Sequence, residues 1–383
     1  MIAVRILIWF LLGLQIYTFA GYPLIVFIIA KFKRNKKCNQ GIPYEPFVTF
    51  VIPARNEEKV IADKIKNTLG LSYPSEKIEI IVGSDYSTDK TDQIVRSYDS
   101  ESVKLIAFQK RRGKTYIQNL AVSEMAGEII VFSDANALYD KNAVRHLVQH
   151  FRDPDVGCVS GALCYSNPKK SLAGREENLY WKYEKFLKMN EEKAGTILGA
   201  NGSIYAVRKT HYVPLQGEII SDFIEPLEIA VRGKRVVYEP DALSFENVSN
   251  TFREELLRKR RILSRSIYSL FVHKHLLNPF HSRKVWIGLV SHKILRWFSP
   301  CFLILLFLFC GLMIHDSLYR FLFILQTVFY ITGVLGILLK NIRGLPTLFL
   351  APYYFCLLGY ASLLGISDFI RGKHKVVWEP LRP

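Results

Sequence analysis

Residues 47–58, FVTFVIPARNEE, open with a short apolar run rich in β-formers, Phe47 to Ile52, that stops at a proline and gives way to a polar loop. A helical pattern through Leu69 follows, so the stretch reads as strand, loop, helix. The unit recurs twice. Ile78 to Val82 leads into Gly83-Ser84-Asp85-Tyr86-Ser87-Thr88-Asp89 and a helix through Tyr98, and Val103 to Phe108 precedes Gly113-Lys114 and another helix. Three such units in succession predict an α/β fold with a mostly parallel sheet. A fourth strand, Ile129 to Phe132, stops at Ser133-Asp134-Ala135-Asn136. Polar residues therefore gather just after each strand, where an open α/β sheet binds its ligand.

The two ends read differently from this middle. Ile6 to Ala30 is apolar for longer than the roughly 18 residues that mark a spanning helix, and it runs straight into Lys31, Lys33, Arg34, Lys36 and Lys37. That pattern predicts a retained anchor rather than a cleaved leader, with the basic flank and the middle domain in the cytosol. Phe298 to Ile314, Phe321 to Leu339 and Leu345 to Ile366 are three further spanning candidates, predicting a multi-pass protein of the inner cell membrane. Before them, Arg253 to Phe271 and Ser282 to Trp297 mix basic, aromatic and aliphatic residues at helical spacing, as helices lying in a membrane interface do. The expected organisation is an anchor over 1–30, a basic linker over 31–46, a catalytic domain over 47–250, interface helices over 251–297, and membrane segments with a basic tail over 298–383. Three full crossings after Trp297 would carry Arg371, Lys373, His374, Lys375 and Arg382 to the far side, against the positive-inside rule. Since Pro346, Pro352 and several glycines interrupt the last segment, a broken final segment and a cytosolic C-terminus are expected.

The formal net charge of +17 is concentrated: residues 251–297 hold eleven Lys or Arg against Glu254 and Glu255. Beside membrane segments the partners implied are membrane lipids and a pyrophosphate, and no nucleic-acid-binding motif accompanies the patch. The six cysteines, at 38, 158, 164, 301, 310 and 356, form no close pair of the CxxC kind and read as unpaired packing thiols. His146 and His150 lie one helical turn apart without the acidic residue of a zinc protease motif, and read as a solvated helix face.

Neither GxGxxG nor GxxxxGKS/T occurs, which disfavours a dinucleotide oxidoreductase and a P-loop enzyme. Acidic groups behind strands suit instead a nucleotide sugar held through ribose contacts and a bridging metal. In order and spacing the motifs resemble the family 2 glycosyltransferases, the group that includes cellulose, hyaluronan and chitin synthases. The likeness covers roughly residues 47–265. Ile52-Pro53-Ala54-Arg55-Asn56-Glu57-Glu58 is similar to the family's opening element, and Ser84-Asp85-Tyr86-Ser87-Thr88-Asp89 to its nucleoside-contacting element. Pro53, Asn56, Glu57 and Asp85 are donor-side candidates on that basis. Gly113-Lys114-Thr115 resembles the element whose lysine sits near the diphosphate, and Asp134 with Asn136 stands where the family has its metal-binding DxD. Asn136 can ligate through its amide oxygen, with less charge than the carboxylate it replaces.

Leu198-Gly199-Ala200-Asn201-Gly202-Ser203 resembles the acceptor-side loop, marking Gly199, Asn201 and Gly202; Asp222 stands in the place of the family's general base. Arg258-Lys259-Arg260-Arg261-Ile262 is similar to the QxxRW element of the processive synthases, keeping Arg261 but placing Arg258 for Gln and Ile262 for Trp. An aliphatic side chain lacks the flat face on which a pyranose stacks. The resemblance implies a GT-A core, Mg²⁺ or Mn²⁺, a nucleotide-sugar donor of the UDP-sugar kind, and a lipid-linked or saccharide acceptor. It implies an inverting enzyme of exopolysaccharide or cell-surface glycan synthesis making few additions per encounter. A processive synthase with coupled export and an inactive membrane scaffold are the alternatives, and the presence of Asp85, Lys114, Asp134, Asp222 and Arg261 together speaks against the scaffold.

Overall fold

The structure, a computed structural model, describes residues 1–33, 44–98, 102–165, 172–247, 252–339 and 347–373. Arg34, Lys36, Lys37, Cys38, Lys340, Arg343, His374, Lys375 and Arg382, on which parts of the sequence reading rest, lie outside them.

The middle of the chain forms one eight-stranded sheet in the order β3-β2-β1-β4-β7-β6-β8-β5. Its first half is the parallel array expected: β1 (Val48–Ala54) lies between β2 (Ile78–Ser84) and β4 (Ile129–Phe132), and β2 carries β3 (Val103–Ala107). Every residue of β1, β2 and β4 is buried, because α3 (Ile61–Leu69), α4 (Thr91–Arg96) and α5 (Lys114–Glu124) complete the layers and leave neither face to water. Beyond β4 the direction alternates. β7 (Tyr205–Arg208) runs antiparallel to β4 and to β6 (Val156–Tyr165). β8 (Arg235–Glu246) then pairs parallel with β6 and antiparallel with the short β5 (Leu138–Tyr139). α6 (Ala143–Gln149), α7 (Leu172–Ala194) and α8 (Ser221–Val231) complete the layers there. Two hydrophobic cores result, one on each side of the sheet, around Phe50 and Ile80 and around Phe132 and Tyr205.

Among the described residues, four helices are long and apolar enough to cross a membrane: Ile2–Phe32, Arg283–Leu312, Ser317–Gly336 and Phe349–Ile370. The first joins α1 (Ile2–Ile16) to α2 (Tyr22–Phe32) through a π-helical turn, Tyr17–Gly21. The second joins α10 (Arg283–Gly288) to α11 (Leu295–Leu312) through another, Leu289–Ile294. The helix therefore passes through Trp297 without a break, so the expected separate interface helix ending there is the domain-side part of a 30-residue helix. α9 (Phe252–Val272) is a single helix as expected, and α12 (Ser317–Leu338) follows α11 after a short turn. The final segment is α13 (Thr347–Ile370), unbroken through Pro352, which corrects the expectation of an interrupted segment. Pro352 sits at the sixth helical position, and its carbonyl lies against Gly333 of α12. Cys158, Cys164, Cys301, Cys310 and Cys356 are all unpaired thiols. His146 is exposed as expected, whereas His150 is partly buried with its Nε2 2.6 Å from Glu239.

Candidate active site

The loops after β1 and β2 clasp one another. Asn56, at φ +50°, accepts from the Thr88 N–H at 2.8 Å through its Oδ1, the Glu57 N–H donates to Thr91 Oγ1, and the Glu58 N–H donates to Asp89. Pro53 is buried in β1 beneath this clasp. Asp85 is buried and its carboxylate accepts from two backbone groups, the N–H of Arg112 at 2.6 Å and of Gly113 at 3.1 Å. It therefore fixes the turn that delivers Lys114 to the first position of α5.

Lys114 is the hub. Its ammonium lies 2.5 Å from Asp134 Oδ1 and 3.5 Å from the Gly202 carbonyl. Burial disfavours the ammonium, but the carboxylates of Asp134 and Asp222 outweigh that cost and hold its pKa above the ordinary lysine value. Asp222 is shifted the other way from most aspartates: burial raises its pKa, Lys114 opposes the rise and Asp134 adds to it. A carboxylate so placed is a better proton acceptor than an exposed one, which suits a general base. Ile220 is the cap residue and α8 starts at Ser221, so Asp222 is the second helical residue, near the positive end of the helix dipole.

Gly202 makes room for that carboxylate. A Cβ built there would stand 2.3 Å from Asp222 Oδ2 and 3.5 Å from Lys114 Nζ. Gly199, at φ +131°, takes a backbone conformation that only glycine adopts easily and turns the chain so that the Ala200 N–H reaches the Asp222 carbonyl at 2.8 Å. Asn201 is held on both sides: its N–H donates to Ser160 Oγ at 3.0 Å and its side-chain oxygen accepts from Lys188 at 2.9 Å. Burial pushes the Lys188 pKa down to about 8.

Lys188 belongs to a stripe on α7 that sequence reading left unassigned. Glu184, Lys188 and Glu191 recur at helical spacing; Glu184 and Glu191 meet the candidate membrane helices, while Lys188 meets Asn201. Tyr22 donates to Glu191 at 2.8 Å, His292 Nδ1 lies 2.7 Å from the same carboxylate, and Arg296 pairs with Glu184 at 2.5 Å. Burial opposes ionisation of Glu184, yet Arg296 and His292 outweigh it and hold its carboxyl well below the usual range. Charged stripes of this kind are ordinarily solvated, so nothing short of the fold reveals what covers this one.

A single cavity of about 950 Å³ joins these parts. Glu57, Lys114, Asp134 and Asn136 line one end, with Gly199, Asn201, Gly202 and Asp222 beside them. Arg258, Arg261, Ile262 and Arg265 of α9 form another wall; Arg258 is held by Glu255 at 2.7 Å, and Ile262 is about half exposed. Pro53, Asn56 and Asp85 are not on the cavity wall and act from behind it. Glu246, at the end of β8, lines the cavity and was not anticipated from sequence. Toward the candidate membrane helices the wall becomes apolar, with Phe19, Pro300, Leu303, Phe355 and Leu358.

The donor set at Asp134 and Asn136 is all oxygen, as a hard divalent cation requires. Among the described residues no group of three or more His, Cys, Asp or Glu is placed to hold a metal ion. The residues present thus fit a cation that takes one carboxylate and one amide from the chain and the rest of its shell from a phosphorylated ligand, the usual arrangement for Mg²⁺.

The model of the family described as Glycosyl transferase family 2 matches residues 49–212. The chain is 26% identical over 228 residues to a poly-beta-1,6-N-acetyl-D-glucosamine synthase of Staphylococcus aureus, covering 58% of this chain and 55% of that protein. It is 29% identical over 237 residues to the probable glycosyltransferase YdaM of Bacillus subtilis, covering 58% and 56%. The chain spans about half the length of these curated relatives. Among solved structures it resembles the mannosyltransferase PcManGT from Pyrobaculum calidifontis in complex with GDP-Man and Mn2+, with a TM-score of 0.70 over 96% of this chain and 99% of that one at 22% identity. That likeness is one of fold.

Proposed function

Since the chain is a family 2 glycosyltransferase with a GT-A core, we propose that it transfers a sugar, with inversion, from a nucleotide diphosphate donor to an acceptor presented at the membrane surface. The observation that carries this reading is the continuity of the cavity, from Lys114, Asp134 and Asp222 to the apolar wall of Phe19, Pro300 and Phe355. A sugar-carrying lipid has that division of polarity, and a saccharide on such a carrier could reach Asp222 without leaving the bilayer surface.

In the reaction Asp222 takes the proton of the acceptor hydroxyl as its oxygen bonds to the anomeric carbon. The bond from that carbon to the diphosphate oxygen breaks, and the nucleoside diphosphate leaves with the electron pair. Attack opposite the leaving group inverts the anomeric centre. Lys114, Arg258 and Arg261 offset the charge that accumulates on the diphosphate. A divalent ion held by Asp134 and Asn136 would supply further charge neutralisation at that leaving group. Transfer is expected to fall to background after exhaustive chelation and to return with Mg²⁺ or Mn²⁺. Asn136→Asp should lower the metal concentration for half-maximal rate, because it restores a carboxylate. Full activity in the chelated enzyme would refute the metal's role.

The donor base and sugar are open to direct test with purified enzyme, a membrane lipid extract and a panel of UDP- and GDP-sugars, the products weighed by mass spectrometry. N-acetylglucosamine and mannose head the panel, since one relative makes a polymer of the first and the solved neighbour holds GDP-mannose. UDP-sugars are preferred on the family resemblance. Ile262 in place of an aromatic platform favours short products, one or a few residues per encounter, in exopolysaccharide or cell-surface glycan synthesis. Gel filtration of radiolabelled product should therefore show no long polymer at early times; long chains from the outset would favour a processive synthase instead.

A further inference from the structure

We propose that α13, although long and apolar enough to cross a membrane, does not cross it, and instead lies on the catalytic side as a brace that sets the position of α9. A helix of 24 residues is about 36 Å long. That would carry its end to the far face of a bilayer if it ran along the normal. The contacts of that end place it elsewhere. Asp368 accepts from Arg260 of α9 at 2.5 and 2.6 Å, and Phe369 packs edge-on against Phe271 with ring centroids 5.9 Å apart. Gly365 is so close to α9 that a Cβ would stand 3.0 Å from Leu263 and 3.1 Å from the Arg260 carbonyl. α9 in turn belongs to the catalytic domain, since Arg265 donates to the Glu218 carbonyl and Ser269 accepts from the Ile220 N–H.

The rest of α13 meets the domain-side parts of the membrane helices. Phe355 packs against Phe19, one turn before Tyr22 reaches Glu191, and Gly359 lies against Pro300, one turn beyond Arg296 and its partner Glu184. Tyr353 approaches Gly336, near the end of α12. The opposite ends of these helices form a separate cluster of Ile8, Leu11, Leu306, Cys310, Met313 and Tyr319, capped by an Arg5–Asp316 ion pair at 3.2 Å. Three helices therefore suffice to cross: in through α1, out through α11 and back through α12. This puts the end of α12, and Arg371 and Lys373 after α13, on the same side as Lys31 and Lys33, as the positive-inside rule requires, without any break in α13.

The helical period explains what the brace would do. At 100° per residue, Arg258, Arg261, Ile262 and Arg265 share one face of α9, and Leu256, Arg260 and Leu263 share the opposite one. The first face lines the cavity and the second meets α13. Asp368 is thus a positioning residue: by fixing Arg260 it fixes the rotation of the helix that presents Arg258 and Arg261. This last step rests on the proposed role of those arginines toward the diphosphate.

Two experiments test the two halves separately. In an active variant lacking its native cysteines, a cysteine added after Pro383 should react with an impermeant maleimide only after the membrane is opened, whereas His315→Cys, in the turn between α11 and α12, should react in intact cells. Labelling of both in intact cells would overturn the non-crossing brace, whatever the enzyme transfers. For the positioning role, equilibrium dissociation constants for UDP and GDP are measured in detergent-purified Asp368→Asn and in the exchanged pair Arg260→Asp with Asp368→Arg. Asp368→Asn should weaken binding of the preferred nucleotide about 3- to 10-fold, and the exchanged pair should restore it to within about twofold. Unchanged binding in Asp368→Asn, or a deficit that the exchange fails to repair, would overturn it; binding of neither nucleotide by the unmodified protein would instead defeat the donor reading.

Discussion

The Asp222→Asn enzyme is expected to turn over about 10²- to 10⁴-fold more slowly than wild type while its donor affinity stays within about twofold, the signature of a lost general base. The amide keeps the shape of the side chain and its place beside Gly202 and Lys114 but cannot take a proton. Its effect should appear in kcat, because the acceptor proton is in flight only in the transition state. Burial raises the Asp222 pKa, so in the wild-type enzyme the acid limb of the kcat profile should lie above the ordinary aspartate range, with activity lost as pH falls through it. That limb should be missing from the residual activity of the variant. A variant retaining more than roughly half the normal rate would remove Asp222 from the base's role.

A comparable loss, about 10²-fold or more, is expected from Gly202→Ala, although the change is only one methyl group. The added Cβ would stand 2.3 Å from Asp222 Oδ2, so one of the two must move. The atom that meets it is the free end of a side chain rather than backbone, and Asp222 can rotate away at little cost to folding. What rotates away is the catalytic oxygen, and a displacement of about 1 Å at a reacting group can cost 10²-fold in rate. Thermal unfolding of the variant should stay within a few degrees of wild type while transfer collapses. A variant with normal kcat would show that the carboxylate need not occupy the place seen here.

Much of the fold was legible from sequence because strands that are buried on both faces read as continuous apolar runs, and parallel topology gathers the polar groups at their ends, Asp134 among them, in one crevice. Lys114 and Asp222 were legible only through the resemblance of their motifs to the family 2 glycosyltransferases. The clasp of Asp85 on the 112–113 backbone was not legible, because it depends on where two loops 28 residues apart come to rest. Lys64 was not legible at all. It sits among apolar neighbours in α3, donates to the Ala137 carbonyl at 2.6 Å beneath the Asp134 turn, and has its pKa pushed down to about 7 by burial. A lysine at a helical position defaults to solvent in any pattern argument, and only tertiary packing overrides that. The last helix was read as interrupted because Pro352 lies in it, and what sequence does not reveal is its far end's contact with α9, more than 100 residues earlier in the chain.

The buried joint of Tyr22, Glu191, His292, Glu184 and Arg296 also acts as a ruler. Lys33 adds a bond to the Ala194 carbonyl, so the first helix is secured to α7 over three turns. Breaking such a buried charged set costs about 3–5 kcal/mol, which keeps the catalytic domain from swinging on its anchor. If the first helix is the membrane anchor, the height of Asp222 above the lipid headgroups is a fixed length, measured out in helical rise. An acceptor hydroxyl would then be read by its distance from the bilayer as well as by its chemistry, and once an added sugar had lengthened the acceptor, the new terminus would stand at a different height.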